Sequence, residues 1–235
     1  MTKFRVEITK GEEIRYISHL DYARTIERAL RRSKLPMAYS EGFNPHMKFS
    51  FASALSVGVA SQAEYMEVEL KEPMDAAEFS ARLARTLPPA ITVCRVKEVV
   101  GKQPALMAIV NLAVYHLAVP LENKDEVERD GINRAIREFN AALEVLYVKE
   151  SPKGRREIDV KQYMAEDATV TVGQEKAEIM FSIRITPQGS VKPGEVLKVL
   201  VKEFQFPGKS EAAVITRLGL YVEKSKTRFS PLEMG

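Results

Sequence analysis

The sequence predicts an α+β protein built from two ferredoxin-like units in tandem, each with the element order βαββαβ and an antiparallel sheet. Segments of alternating apolar and polar residues, which are typical of half-buried strands, recur between segments whose apolar residues have helical spacing. This order occurs once up to residue 103 and again from residue 104, there with an extra hairpin. We therefore expect one domain over residues 1–103 and a second over residues 104–235.

The first unit begins with a strand and a capped helix. Residues 3–10 alternate between apolar and polar side chains, and Gly11 ends this strand. Ser18 and Asp21 have the spacing of a capping box, so the helix is expected to begin at Ser18 and to end before Pro36. Four of its apolar residues are predicted to face the core: Leu20, Ala23, Ile26 and Leu30.

The remaining elements follow from the same two patterns. The first unit is expected to contain strands at residues 48–57, 65–70 and 91–99 and a helix at 74–86. For the second unit the patterns predict a strand at 108–119, a helix at 124–144 with Val127 and Leu143 in its core face, two or three strands at 145–185, a helix at 194–204, a strand at 213–222 and a basic tail at 224–229. A hairpin turn is predicted at Pro152, Lys153 and Gly154.

Positive charge is concentrated in one region of a chain that is otherwise nearly balanced. The whole chain has a net charge of +3, with 45% hydrophobic and 29% charged residues, which is an ordinary globular composition. Between residues 14 and 50, seven Lys or Arg residues stand against three Asp or Glu residues, an excess of four. The basic surface is therefore expected in the first unit.

Several classes of protein are excluded by what the sequence lacks. With Cys94 as the only cysteine, the chain cannot form an internal disulfide, a cysteine-type zinc site or an iron–sulfur cluster of its own. Cys94 lies in an apolar-rich run and is predicted to be buried. The chain has no signal peptide, no membrane-spanning run and no nucleotide-binding or hydrolase motif, so we expect a cytoplasmic protein without a cofactor.

The first helix carries a line of arginines. Arg24, Arg28 and Arg31 recur at helical spacing, with Arg32 beside them. One interpretation is a solvated helix face partly paired with acids such as Glu27. The other is a surface that follows phosphate groups, whose oxygens match the guanidinium fork. Four arginines within nine residues favour the second interpretation.

Two histidines flank this helix. His19 lies in the first turn, where the helix dipole favours a neutral imidazole. Asp21 is two residues further on, cannot share the face of His19, and is expected to cap the helix rather than to act in catalysis. A metal site would require His19, His46 and Glu64 to meet in the fold, and no metal is predicted.

The connection after this helix is rich in residues with particular backbone or binding properties. Gly42 accepts a positive φ and Pro45 fixes the backbone, which a structural turn alone would explain. The alternative is that Asn44, His46 and the nearby Lys48 contact a polar ligand from a rigid turn. A further polar cluster, Arg155, Glu157, Asp159 and Lys161, alternates along a strand, and a paired charge ladder explains it equally well.

Four motifs in the first unit and one in the second resemble a known family. They are Arg15-x-x-Ser18-His19-x-Asp21, the run from Glu27 to Arg32, the run from Ser40 to His46, Leu55-x-x-Gly58 with Glu64, and Arg156-x-x-Asp159-x-x-x-Tyr163. Together they are similar to the bacterial radical-SAM-linked domain of unknown function, here as a stand-alone member. The resemblance implies an accessory or substrate-presenting role beside a separate radical SAM enzyme. It also implies RNA, because family members often lie beside genes for ribosomal proteins or an RNase.

The sequence therefore predicts an accessory protein that binds RNA or a phosphate-bearing substrate and acts with a separate radical SAM modification enzyme; neither DNA nor a membrane is expected as a partner. The alternative is a metal-independent RNA-processing or RNA-modifying enzyme, with His46 or His19 as general base or Asp159 as nucleophile. A purely structural subunit is the third possibility. The predicted binding residues are Arg15, His19, Arg24, Arg28, Arg31, Arg32, Asn44, His46, Lys48 and Arg156.

Overall fold

The computed structural model describes residues 2–151 and 154–234, and the chain forms two compact units. One contains the described residues up to Asn111 together with those from Gly219 onward, and the other is Leu112–Leu218. The described residues form a mixed α+β fold with five α-helices and a mostly antiparallel sheet. The predicted α+β class is therefore confirmed.

In the first unit, two helices pack on one face of an antiparallel sheet. Strand β1 lies between β3 and β4 and pairs antiparallel with both, and the short β2 pairs antiparallel with β3. The elements in chain order are β1 (Thr2–Lys10), α1 (His19–Arg32), β2 (Phe49–Phe51), β3 (Val59–Leu70), α2 (Ala76–Ala84), β4 (Val93–Glu98) and a one-turn helix α3 (Leu106–Ile109).

Strand alternation builds the core of this unit. Every second residue of β1, from Phe4 to Ile8, is fully buried against the helices, as predicted. The buried face of α1 consists of Tyr22, Ile26, Ala29 and Leu30. Leu20 was expected in this face but is 67% exposed. At roughly 100° per residue it lies well over a quarter-turn from the centre of the buried arc, so the sheet does not cover it.

The second unit contains its own antiparallel strands and a separate two-stranded hairpin. Strand β9 pairs with β5 and with β8, while β6 and β7 pair with each other in a separate two-stranded sheet. The predicted hairpin turn includes Pro152 and Lys153, which lie outside the described residues. The elements are β5 (Leu112–Pro120), α4 (Glu126–Ala141), β6 (Leu146–Ser151), β7 (Gly154–Asp159), β8 (Thr169–Val172), β9 (Lys176–Arg184), α5 (Pro193–Phe204), β10 (Val214–Lys224) and β11 (Thr227–Phe229).

Several predictions about single residues are wrong. Val127 lies on the exposed side of the first turn of α4, and Leu143 lies beyond the end of that helix, so both are exposed. Cys94 is also exposed, because it lies on β4, the strand at the edge of the sheet beside β1. The expected charge ladder stops before Lys161, because β7 ends at Asp159 and a 3₁₀-helix follows.

The ends of some elements also differ from the sequence pattern. The strand expected at residues 48–57 extends only over β2, and the one expected to begin at residue 108 is preceded by α3. The segment predicted as a basic tail is a hairpin, in which Ser225 and Lys226 have positive φ between β10 and β11. Among the described residues, no helix is both long and apolar enough to cross a membrane.

Candidate functional site

The segment that leads into α1 is held by a buried lysine. Lys10 ends β1 with 1% of its surface exposed, and its ammonium donates to the carbonyls of Arg15 (3.0 Å), Ile17 (3.2 Å) and Val59 (3.3 Å). A buried ammonium with three acceptors is strongly constrained, because each bond compensates for lost hydration. Lys10 therefore fixes the path of the chain just before the helix.

Gly58 completes this arrangement from the other side. Its amide donates to the carbonyl of Arg15 (2.8 Å), and its φ of +85° lies in the region that favours glycine. Leu55, three residues earlier, is buried. The sequence motifs around Arg15 and Gly58, 43 residues apart in the chain, therefore meet at the N-terminal end of α1.

Beneath the same helix end, the sheet carries buried polar groups. Glu64 lies opposite Ile8 in the β1–β3 register, and Lys10 lies opposite Ser61. The Ser61 hydroxyl donates to Glu64 Oε1 (2.6 Å), and both residues are buried. Glu64, the last residue of the motif that begins at Leu55, is thus buried in the sheet below the N-terminal end of α1 and is not part of the protein surface.

Ser18 caps α1, as predicted. The Asp21 amide donates to Ser18 Oγ (3.1 Å), and the Ser18 hydroxyl donates to Asp21 Oδ2 (2.7 Å). Asp21 therefore takes part in the cap through the Ser18 hydroxyl rather than through the Ser18 amide of a full capping box. His19 is half-buried in the first turn, with its ring edge-on to Phe51 at 5.2 Å between centroids. Its Nδ1 is buried, so the imidazole contributes to packing at this end of the helix.

The surface around this helix end is apolar and exposed. Tyr16, Leu20 and Val57 are all exposed, and the Tyr16 ring lies near Gly58. The Arg15 guanidinium lies 4.7 Å from the centre of the Tyr16 ring and donates to its hydroxyl (3.1 Å). This hydrogen bond, with the charge of Glu12, raises the pKa of Arg15. The helix end therefore presents a cation stacked on an aromatic ring.

The arginine line of α1 is exposed and partly paired. Arg24 lies 3.4 Å from Asp21, and Arg31 lies 2.9 Å from Glu27. Arg32 instead donates to the carbonyl of Thr86 (2.6 Å) after α2, which is a structural contact. Exposed ion pairs are weak and leave the cations available to a ligand.

Arg28 differs from its neighbours on this face. It is exposed and has no hydrogen bond or ion pair to any residue in the ranges that the structure describes. The arginine face therefore offers three accessible cations, Arg24, Arg28 and Arg31, whereas Arg32 is occupied within the unit.

The loop formed by residues 40–46 projects from the sheet on a closed base. The Ser40 amide donates to the carbonyl of His46 (2.8 Å), and the His46 amide donates to Ser40 Oγ (2.9 Å). Beyond these bonds, Tyr39 and Met47 form a β-bridge. Gly42 adopts a φ of +118°, as the sequence predicts for a turn glycine. Residues 41–46 are all exposed, so this 40–46 loop projects into solvent from its hydrogen-bonded base.

The two predicted histidines do not meet. His19 contacts Phe51, which pairs with Met66, whereas the loop that ends with His46 begins next to Glu69, further along β3. Lys48 lies 3.7 Å from Glu69 at this end. Among the described residues, no group of three His, Cys, Asp or Glu side chains could hold a metal ion.

The predicted residues of the second unit have different surroundings. Arg156 is exposed on β7, opposite Lys149 in the hairpin. The Asp159 carboxylate accepts from the amides of Val145 and Lys161, both at 3.0 Å. Backbone hydrogen bonds of this kind stabilise the turn and occupy the carboxylate.

On the first-unit sheet, the face turned away from the helices is covered by residues 230–234, here called the C-terminal segment. Arg5 is 2% exposed, and its guanidinium donates to the carbonyls of Pro104 (2.7 Å), Pro231 (3.2 Å) and Met234. Strand alternation alone would have made Arg5 a solvent-facing residue. The C-terminal segment therefore depends on a charge buried in β1.

A second group of contacts holds the C-terminal segment against the sheet. The hydroxyl of Tyr65 is hydrogen-bonded with Ser230 and Glu7, and burial, above all, raises the pKa of Tyr65 to about 12. Arg95 donates to Glu7 (2.6 and 2.8 Å), and Leu232 is buried. Polar groups on this face of the sheet are thus satisfied within the unit.

Sequence reasoning missed Lys10, Tyr16 and Arg5. A signal for Lys10 was present, because it follows Phe4, Val6 and Ile8 at the spacing of the buried strand positions. Nothing local marks Arg5 or Tyr16, since their roles depend on segments that are distant in the chain.

Comparison with known proteins identifies the family but no characterised relative. No curated protein matches the chain. A family model described as an uncharacterized protein conserved in bacteria, DUF2344, matches residues 3–193. This range covers most of the chain, including the helix α1, the 40–46 loop and the Gly58 motif. The chain therefore belongs to the DUF2344 family.

Proposed function

We propose that this protein binds RNA through its first unit and presents it to a separate radical SAM modification enzyme. The observation that carries the proposal is the 40–46 loop. The loop is exposed on a base closed by hydrogen bonds, and the side chains of Asn44 and His46 make no hydrogen bond within the described part of the chain. Polar side chains that the fold positions but does not use are available to a ligand.

The arginine face supplies the second component of this function. Arg24, Arg28 and Arg31 offer exposed guanidinium groups that match phosphate oxygens, while Asn44, His46 and Lys48 would orient the bound group. Among the other predicted residues, Arg15 and His19 belong to the N-terminal end of α1. Arg156 belongs to the hairpin of the second unit and has no assigned role in this proposal.

The association with a radical SAM enzyme rests on the family resemblance in the sequence motifs. The exposed Tyr16, Leu20 and Val57 near the N-terminal end of α1 offer an apolar surface of the kind that protein partners use. In this arrangement the accessory protein holds the RNA, and the partner supplies the iron–sulfur chemistry for which this chain lacks cysteines.

We also propose that both units are ferredoxin-like. In the first unit the element order is βαββαβ, and β1 pairs antiparallel with both β3 and β4. In the second unit, removing the β6–β7 hairpin leaves the order β5, α4, β8, β9, α5, β10. This order supports the tandem interpretation, and ferredoxin-like units are frequent in RNA-binding proteins.

The enzyme alternative receives less support from the geometry. His19 packs against Phe51, whereas the loop that ends with His46 begins beside Glu69, so the two imidazoles are held by different parts of the unit. Asp159 Oδ1 accepts from two backbone amides, which gives this side chain a structural role at the turn. If purified protein cleaves or modifies RNA, and His46→Ala abolishes that activity, the alternative replaces the proposal.

The direct test is the affinity of the protein for a fluorescein-labelled single-stranded RNA, measured by anisotropy at several salt concentrations. Changing Arg24 and Arg28 to Gln should weaken binding and reduce the slope of log K against log salt by about 1.4, at ~0.7 per phosphate contact. The matched control changes Arg134 and Arg137 to Gln, two exposed arginines of α4. Equal effects of the two pairs, or no binding by the unchanged protein, would contradict RNA binding by the first unit.

The partner enzyme needs a separate experiment. Crosslinking followed by affinity capture from native cytoplasm should recover a protein with the C-x₃-C-x₂-C motif of radical SAM enzymes, identified by mass spectrometry. Leu20→Ser should abolish this recovery without changing RNA affinity, because Leu20 is exposed, has no role in the core, and serine adds no charge beside Arg24. Recovery that is unaffected by Leu20→Ser would exclude this surface.

A further inference from the structure

The tip of the 40–46 loop carries a phenylalanine that the fold does not use. Phe43 has 107% of its reference surface exposed, the highest value among the large apolar side chains that the structure describes. The loop is shaped by Gly42, Pro45 and the two hydrogen bonds between Ser40 and His46, none of which involves this side chain. Single exposed apolar residues are common, so the surroundings of Phe43 decide its interpretation.

Those surroundings are polar rather than apolar. Asn44 and His46 follow Phe43 in the same loop, and their amide and imidazole groups have no hydrogen bond to the described residues. At the base, Lys71 lies 5.6 Å from the ring centre of the half-exposed Tyr39, and Lys48 is within reach of Glu69. An apolar pocket on a protein partner would be matched by apolar neighbours of Phe43. A flat ring beside unused donors and acceptors instead matches a nucleobase, which stacks and also has a hydrogen-bonding edge.

The usual alternative platform for single-stranded RNA is closed in this protein. Bases commonly stack on aromatic residues of an open antiparallel sheet. Here the corresponding face of the first-unit sheet is covered by the C-terminal segment, through the contacts of Arg5 and Tyr65. Base contacts in this unit must therefore come from a loop.

We infer that Phe43 stacks on one unpaired base of single-stranded RNA, and that Asn44 and His46 contact the edge of that base. This inference rests on the proposed function and makes it more specific. The arginine face binds the phosphates of any RNA, whereas the Phe43 loop distinguishes an unpaired base from a paired one. The ligand class is therefore single-stranded RNA, or a single-stranded loop within a folded RNA, rather than duplex RNA.

The test uses the fact that the chain contains no tryptophan. Phe43→Trp introduces a unique fluorophore, whose emission should be quenched by a single-stranded RNA oligonucleotide and not by a blunt duplex of the same sequence. Phe43→Ala should weaken single-strand binding about tenfold, within the range for loss of one base stack, and leave duplex binding unchanged. Phe43→Leu, which keeps an apolar side chain without a ring, should behave like Phe43→Ala.

The matched control is Leu143→Ala, because Leu143 is 98% exposed but lies in the second unit. It should leave both affinities unchanged, and urea unfolding should show equal stability for all these variants. If Phe43→Ala binds single strands as tightly as the unchanged protein, or if the fluorophore is not quenched, the inference is wrong while the proposed function stands. If the unchanged protein binds no RNA, both are wrong. If Phe43→Ala binds RNA normally but no longer recovers the partner enzyme in affinity capture, Phe43 contacts a protein instead and the inference is wrong.

Discussion

At the scale of single residues, two buried cations hold the irregular segments of the first unit in place. Lys10 and Arg5 lie on opposite faces of β1, and each donates to main-chain carbonyls. Main-chain carbonyls in loops have no partner strand and need other hydrogen-bond donors. A buried cation that donates to several of them satisfies these carbonyls, and the same hydrogen bonds compensate for the hydration that the cation has lost. The sites on this unit are thus built on a charged rather than a purely apolar scaffold.

Replacing Lys10 tests this role. Lys10→Met keeps the length of the side chain but removes three hydrogen bonds to buried carbonyls. We expect the free energy of unfolding to fall by about 3 kcal/mol in urea denaturation. Lys3→Met is the control, because the partly exposed Lys3 makes surface ion pairs, with Glu69 at 3.1 Å and with Glu67 at 4.0 Å, for which at most about 1 kcal/mol is expected. Equal losses in the two variants would contradict the anchoring role of Lys10.

At the scale of elements, local chemistry was predictable and long-range contacts were not. The cap of α1 follows from Ser18 and Asp21, and the strand β1 follows from its alternation, because neighbouring residues determine both. Leu20 was misplaced because its burial depends on where the sheet covers the helix. The exposed turn at Gly42 was predictable from its residue types. The separation of His19 from His46 was not, since it depends on the register of β2 with β3.

The C-terminal segment is the clearest case of a contact that the sequence could not indicate. The carbonyl of Pro231 accepts from Arg5, 226 residues away in the chain, and no local pattern in residues 230–234 indicates this contact. Truncation after Phe229 should lower the free energy of unfolding by about 3 kcal/mol, through loss of the buried Leu232 and of the acceptors of Arg5. Arg5→Leu should be much less harmful in the truncated protein than in the full chain, as a double-mutant cycle measures.

The same truncation should change the titration of Tyr65. Burial raises its pKa to about 12, so the folded protein keeps the phenol neutral where the unfolded chain, with a pKa of about 10, ionises it. The contribution of the neutral Tyr65 phenol to the free energy of unfolding is therefore complete below pH 10 and is lost as the pH rises towards 12. Absorbance titration of the phenolate should show one tyrosine shifting from about 12 towards 10 on truncation. An unchanged titration curve would show that the C-terminal segment does not bury the Tyr65 hydroxyl.

At the scale of the whole molecule, the order of elements in the first unit was predicted, whereas residues 145–185 of the second unit contain four strands, β6 to β9, where two or three were expected. Strand β10 includes residues of both units, and the described residues after it belong to the first unit. Periodicity locates strands but carries no information about which unit a last strand joins. The binding residues of the first unit remain a prediction that rests on residue type.

The proposed division of labour assigns RNA to the first unit, and ultraviolet crosslinking with peptide mapping tests this assignment most directly. The purified protein would be irradiated with single-stranded RNA, digested, and the RNA-bearing peptides identified by mass spectrometry. We predict crosslinks in the peptides that contain Phe43 and the arginines of α1. Crosslinks confined to residues 112–218, or none under conditions in which a known RNA-binding protein crosslinks efficiently, would contradict it.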